Sequence, residues 1–173
     1  SHAFQVFCGM GNNGGDGLVI ARLLHRAGYD VHCFVVQFSD QFSKDAEVNM
    51  KRLSEAGLQP VYLKNKAGFP EIRNSKNIVV DAIFGSGLTR PVEGFTAELI
   101  HQINGSDTTV ISIDMPTGLF CEDNSGNILE NVILADYTLT FETPKLALLL
   151  PENGMKVGEW IIIPIGLDQN FIS

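Results

Sequence analysis

Gly9-Met10-Gly11-Asn12-Asn13-Gly14-Gly15-Asp16-Gly17 stands between one apolar run, Val6-Phe7-Cys8, and a second that begins at Leu18. Glycine takes φ > 0 readily and lets a ligand approach bare backbone. Asparagine is among the few other residues that tolerate the left-handed region. The N–H groups that open a helix have no internal partner and favour an anion or a polar ligand. The stretch is therefore expected to be a binding loop between a strand at 3–8 and a helix at 18–27. Gly9, Gly11 and Gly14 satisfy G-x-G-x-x-G, a match that is weak alone. A dinucleotide site would add an acidic residue after the second strand, where Gln37 and Phe38 stand and Asp40 comes late. A phosphate-binding P-loop would end in a lysine, and this one does not. Asp16 would repel a phosphate, so it is expected to cap the helix or to contact a neutral hydroxyl or amide.

Outward from that loop, strand-like runs alternate with helical segments. Strands are expected at 3–8, 31–36, 60–63, 78–84, 109–113, 135–141 and 159–163. Helices are expected at 18–27, ended by Gly28, at 44–56, with Ser43 as N-cap and Gly57 as the stop, and at 95–103. A further turn of helix is expected around 70–74. Phe95, Leu99, Ile100 and Ile103 share one helical face. The strands are continuous Val/Ile/Phe runs, as expected when helices cover both sheet faces. Regular βα alternation implies an α/β protein with a parallel, doubly wound sheet and right-handed crossovers.

The 173 residues fit one domain, 1–173, large enough for a substantial core. A net charge of −8 argues against a general nucleic-acid or membrane-surface binder. Cys8, Cys33 and Cys121 are few and widely spaced. Together with the absence of a secretory leader they suggest a reducing, cytoplasmic setting. No apolar run approaches the ~18–20 residues that cross a bilayer. The chain opens inside a strand, so natural sequence upstream is expected.

Open α/β sheets bind ligands beyond the carboxyl ends of their strands. Three polar, glycine-bearing loops are expected to converge there: 9–17, the segment 81–91 and the segment 114–118. Asp81, Asn13 and Thr117 supply hard oxygen ligands that suit an alkali or alkaline-earth cation, not zinc. Arg90 would either pair with a phosphate or brace its own loop. Asp114 is the candidate acid/base, since burial at a strand end is expected to raise its pKa. His2, His25, His32 and His101 are scattered and carry no assigned role. No Ser-His-Asp or Cys-His arrangement points to a covalent intermediate.

With those loops in view, the chain resembles the NAD(P)H-hydrate epimerases, the YjeF amino-terminal domain family. The resemblance runs from residues 8–17 through Val80-Asp81-Ala82-Ile83-Phe84-Gly85-Ser86-Gly87 and Ser112-Ile113-Asp114-Met115-Pro116-Thr117-Gly118. It continues through Ala135-Asp136-Tyr137-Thr138-Leu139-Thr140-Phe141 to Pro144-Lys145. It implies a Rossmann-like three-layer α/β/α fold and an isomerase of metabolite repair. The reaction would interconvert the R and S forms of the C6 hydrates of NADH and NADPH, so that a dehydratase acting on the S form can restore both. By position, Asn12, Asn13, Gly14, Gly15 and Asp16 would bind substrate. So would Gly85, Ser86, Gly87, Leu88, Thr89, Arg90, Pro91 and Asp114. Asn13, Asp81 and Thr117 would hold a potassium ion, Thr117 standing where the family usually has Ser. For that reaction one carboxyl group that donates and recovers a proton would suffice, and Asp114 is the candidate catalytic residue.

Family members usually carry a further helix pair upstream that often serves dimer contacts and does not stand in this sequence; the oligomeric state therefore stays open, a homodimer being one expectation. The run Ile163-Pro164-Ile165-Gly166-Leu167-Asp168 looks like the seam where many bacterial members join a dehydratase domain. Two other readings stay open: a non-catalytic nucleotide- or RNA-binding scaffold of the same fold, and an enzyme acting on another nucleotide-like metabolite.

Overall fold

Apolar strands with no polar alternation need cover on both faces, and this chain provides it by interleaving helices. The computed structural model describes residues 2–72 and 76–166. Seven strands, β1 (Ala3–Cys8), β2 (Asp30–Val36), β3 (Val61–Leu63), β4 (Asn77–Ala82), β5 (Thr109–Ile113), β6 (Tyr137–Phe141) and β7 (Glu159–Ile163), form one sheet in the order β3-β2-β1-β4-β5-β6-β7. Every pairing is parallel. The doubly wound expectation holds, and the order reverses between β1 and β4, the switch point at which such sheets open a crevice.

Side-chain alternation along β1 divides the core. Val6 and Cys8 pack beneath α1 (Asn12–Arg26) and α2 (Lys44–Glu55), with Leu18, Ala46 and Leu53. Phe7 points the other way and stacks on Phe34 at 5.0 Å, within the layer that α3 (Gly94–Asn104) covers with Leu99, Ile100 and Ile103. Ser43 caps α2 as expected, its Oγ accepting from the Ala46 N–H at 3.1 Å. Cys8 and Cys33 are buried thiols 4.0 Å apart, too far for a disulfide.

The structure revises the reading of residues 9–17. The helix expected at 18–27 begins at Asn12, so the Asn-Asn-Gly-Gly-Asp run is its first turn and a half, not a loop. None of these glycines has positive φ; the non-glycine residues that do, among those described, are Asp114 and Glu142. The glycines are there for space. A Cβ on Gly9 would lie 2.0 Å from the Ile83 carbonyl oxygen, and one on Gly14 2.0 Å from that of Gly9. The helix thus packs directly against the ends of β1 and β4. Asp16 is the fifth helical residue and caps nothing; Gly11 holds the cap position. A 3-10 turn lies at Lys66–Gly68. The turn expected around 70–74 falls partly outside the described residues, as do Leu167 and Asp168 of the seam. Among the described residues no helix is long and apolar enough to cross a membrane.

Candidate active site

A cleft of about 900 Å³ opens at the carboxyl ends of the central strands. The first turns of α1 contribute Asn12, Asn13 and Asp16, and the segment after β4 contributes Phe84, Gly85, Ser86, Gly87, Leu88, Thr89 and Arg90. Asp114 follows β5. The three loops named from the sequence therefore meet, because β1, β4 and β5 are neighbours in the sheet. Gly14 and Gly15 are buried against the body and Pro91 stands aside; none of the three lines the cleft. Two contributions escaped sequence reading. The β2–α2 connection brings Phe38, Gln41 and Phe42, and the end of β6 brings Phe141 and Lys145. Phe38 tilts against Phe84 with ring centroids 4.9 Å apart. The signal available for the first was a pair of aromatics in an otherwise polar segment just past a strand. Lys145 lies within the stretch that carries the resemblance, which assigns it no role.

Behind the cleft lies Asp81, fully buried on β4 opposite Ser112 of β5. Its carboxylate accepts from Ser112 Oγ at 2.7 Å, from the Thr117 N–H at 2.8 Å and from Thr117 Oγ1 at 2.6 Å. The Thr117 hydroxyl in turn accepts from the Phe84 N–H at 3.0 Å and lies 3.3 Å from the Phe84 carbonyl. Burial pushes the Asp81 pKa up, and the Thr117, Ser112 and Ile83 hydrogen bonds only partly oppose it. Both polar atoms of the Asn13 side chain are buried without a hydrogen-bond partner. Such groups are expensive to leave unmet.

The structure contradicts the reason given for Asp114 as an acid/base: its pKa is lowered, not raised. Burial does act upward, but the Lys145 hydrogen bond and the Ser86 contacts outweigh it. Oδ1 lies 2.8 Å from Lys145 Nζ, and Oδ2 accepts from the Ser86 N–H at 2.7 Å. Gly85 makes room for this meeting, since a Cβ there would stand 2.8 Å from Asp114 Oδ2 and 3.0 Å from Asn13 Cγ. Asp16 shifts upward instead, through desolvation first and then the charges of Asp114 and Asp45. Arg90 lines the cleft, exposed, and makes no hydrogen bond or ion pair among the described residues. That leaves it free for a ligand and gives the loop-bracing reading no contact to rest on. None of the four histidines lines the cleft.

Comparison with known proteins follows the same lines. A family model described as "YjeF-related protein N-terminus" matches residues 1–147. A relative from Limosilactobacillus fermentum named NAD(P)H-hydrate epimerase is 34% identical over 157 residues, covering 91% of this chain and 72% of the relative. Bifunctional NAD(P)H-hydrate repair enzymes Nnr match from Thermofilum pendens, 42% identical over 89% of this chain and 29% of theirs, and from Moorella thermoacetica, 32% identical over 97% and 32%. The chain thus spans about a third of the length of those bifunctional relatives. The crystal structure of yeast ynu0, YNL200c, superposes with a TM-score of 0.73 at 23% identity, over 95% of this chain and 65% of that one, and supports the fold. With the matched model spanning most of its length and the glycine-asparagine helix start, the Asp81 nest and the Asp114 loop assembled at one switch point, this chain belongs to the YjeF-related protein N-terminus family.

Proposed function

We propose that this chain is an isomerase that interconverts the R and S forms of the C6 hydrates of NADH and NADPH. The observation that carries the reading is the meeting of Asp16, Asn13 and the fixed Asp114 carboxylate in one cleft of about 900 Å³, a volume suited to a nucleotide-sized ligand. The names of its relatives support the same substrate class. Asn12, Asn13, Asp16, the 85–90 segment and Asp114 would contact the substrate, with Arg90 available to a phosphate. Gly14 would act by letting the helix start approach, and Pro91 by shaping its loop, whereas Gly15 has room for a methyl group.

Inversion at C6 requires transient loss of its hydroxyl or opening of the ring, assisted by the ring-nitrogen lone pair; the residues of the cleft are suited to the first. The developing positive charge on the ring asks for a nearby anion, and the leaving hydroxyl asks for a proton. Asp114 and Asp16 are the carboxyl groups of the cleft that can answer, and both are proposed to be catalytic.

Potassium fits the residues behind the cleft. Asn13 Oδ1 lacks a partner, and the Thr117 hydroxyl and Asp81 carboxylate would complete an oxygen-only donor set with it. Asp81 already accepts its neighbours' hydrogen bonds, so direct ligation would require the Thr117 hydroxyl hydrogen to turn away. The ion would neutralise Asp81 and fix the loop geometry. A dehydratase specific for the S form is the reading's partner activity, in the cytoplasm; a homodimer also belongs to it. The net charge of −8 disfavours the RNA-scaffold alternative.

The test mixes the chain with an S-specific hydrate dehydratase and purified R hydrate, and follows the return of reduced-cofactor absorbance with and without potassium. Recovery above the spontaneous rate is expected, with Asp114→Asn about 100-fold slower or worse. A folded sample that does not accelerate recovery would overturn the reading.

A further inference from the structure

Asp16 and Asp114 share the cleft but not their surroundings. Asp114 is held at both oxygens, by Lys145 Nζ at 2.8 Å and by the Ser86 N–H at 2.7 Å. Lys145 is as fully committed: its ammonium also reaches Thr140 Oγ1 at 2.9 Å and the Phe141 carbonyl at 3.2 Å. An ammonium has three hydrogens, and all three have protein acceptors. The side chains of Lys145 and Asp114 are 18% and 11% exposed. One ion pair therefore ties together the segments that leave β4, β5 and β6.

The backbone marks the same place. Asp114 (φ 67°) and Glu142 (φ 58°) are the non-glycine residues with positive φ among those described. One sits at each strand end that the ion pair bridges. Strained conformations persist where surrounding structure holds them, and they gather at functional sites. Asp114 is held by its N–H bond to the Leu139 carbonyl at 2.7 Å, and the turn after Glu142 by the Thr143 N–H bond to the Phe141 carbonyl, also 2.7 Å. Asp16 is the opposite case. It projects from the second turn of α1 into the cleft with no hydrogen-bond or ion-pair partner among the described residues, and the charges of Asp114 and, from α2, Asp45 act on it.

We propose that Lys145 is a positioning residue that reserves Asp114 as a fixed anion and leaves Asp16 as the residue that carries the proton. The inference rests on the epimerase reading. In the step it describes, the Asp16 carboxyl gives its proton to the C6 hydroxyl. The C6–O bond breaks with its electron pair, and water leaves. The ring-nitrogen lone pair forms a C6=N bond, whose positive charge faces the Asp114 carboxylate. Water then adds to the opposite face of C6 and returns a proton to Asp16, so no atom or electron is gained or lost.

Two measurements test it. Carboxyl-carbon NMR titration of the substrate-free protein should show Asp16 protonating at higher pH than Asp114, and the Asp114 midpoint moving up in Lys145→Met. Kinetics should show Asp16→Asn losing about 100-fold or more in kcat with little change in KM. Lys145→Met should lose kcat by about tenfold or more, with most of it recovered in Lys145→Arg, which restores the charge but would not restore a specific lysine acid. If Lys145→Met does not fold, Lys145→Gln carries the same comparison. Asp114 titrating at or above Asp16 in the unmodified protein would overturn the proposal, as would Asp16→Asn retaining kcat within about twofold. A wild-type chain with no epimerase activity would defeat the functional reading instead, and the substrate-free titration would still decide the division between the two carboxyls.

Discussion

At the third position of α1 a methyl group has nowhere to go. The Cβ of an alanine at residue 14 would stand 2.0 Å from the carbonyl oxygen of Gly9 and 2.4 Å from its carbonyl carbon, both backbone atoms. Gly15, one residue on, would place its Cβ 3.4 Å from the Ala46 nitrogen, a contact that needs little adjustment. Helix propensity favours alanine over glycine by about 1 kcal/mol at either position, while forced overpacking costs roughly 1–3 kcal/mol or more. Gly14→Ala is therefore expected to destabilise by about 2 kcal/mol, lowering the melting temperature by roughly 4–8 °C. Gly15→Ala should stay within about 1 kcal/mol of wild type. Thermal unfolding of the two variants side by side checks this, and equal melting temperatures would refute it. The glycine cluster was legible as a site, but its physics was misjudged. Spacing along a chain shows where glycines are, and only the approach of Ile83 and Gly9 shows which ones have no room. Asp114 was misjudged for a related reason: burial could be guessed from its neighbours, whereas the lysine 31 residues further on could not.

Local signals survived translation into elements best. Ser43 was identifiable as the N-cap of α2 because a cap depends on residues within one turn. Its hydroxyl accepts from the Ala46 N–H, and Asp45 and Glu47 follow in the first turn, where carboxylates favour the helix dipole. Ser43 also donates its own N–H to the Met10 carbonyl at 2.8 Å, anchoring the start of α2 to the rim of the cleft through backbone atoms. Ser43→Ala should cost about 1 kcal/mol and leave that anchor in place. The expected result is a melting temperature lower by about 2–4 °C with turnover changed less than twofold. A loss of turnover much larger than the loss of stability would show that the cap serves the site and not only the helix. The start of α1 was harder to read. Its two asparagines and three glycines have poor helix propensity, and packing of Leu18 and Ala21 into the core carries the helix back to Asn12.

For the whole molecule, alternation gave away the parallel sheet, but the neighbour order that makes the site is a long-range fact. Placing β4 and β5 side by side sets Asp81 against Ser112; placing β6 next to β5 brings Lys145 to Asp114. The same order buries Asp81, and this burial has a measurable sign. A carboxyl whose folded pKa is raised binds protons more tightly in the native state, so its contribution to stability falls as pH rises from its unfolded value of about 3.8 through its folded value. A cation bound beside Asp81 should offset that loss where the carboxyl is ionised and do little where it is protonated. Potassium is therefore expected to raise the melting temperature relative to sodium most strongly near neutral pH, and progressively less towards pH 4. With free cation at about 100 times its dissociation constant the gain would be about 2.7 kcal/mol. Asn13→Ala, which removes the unpartnered oxygen, should abolish the difference between the two salts at every pH. Thermal unfolding across pH in matched potassium and sodium chloride measures all of this. Equal melting in the two salts at neutral pH would exclude a selective potassium site and leave Asp81 as a buried structural acid, held by the Thr117, Ser112 and Ile83 hydrogen bonds.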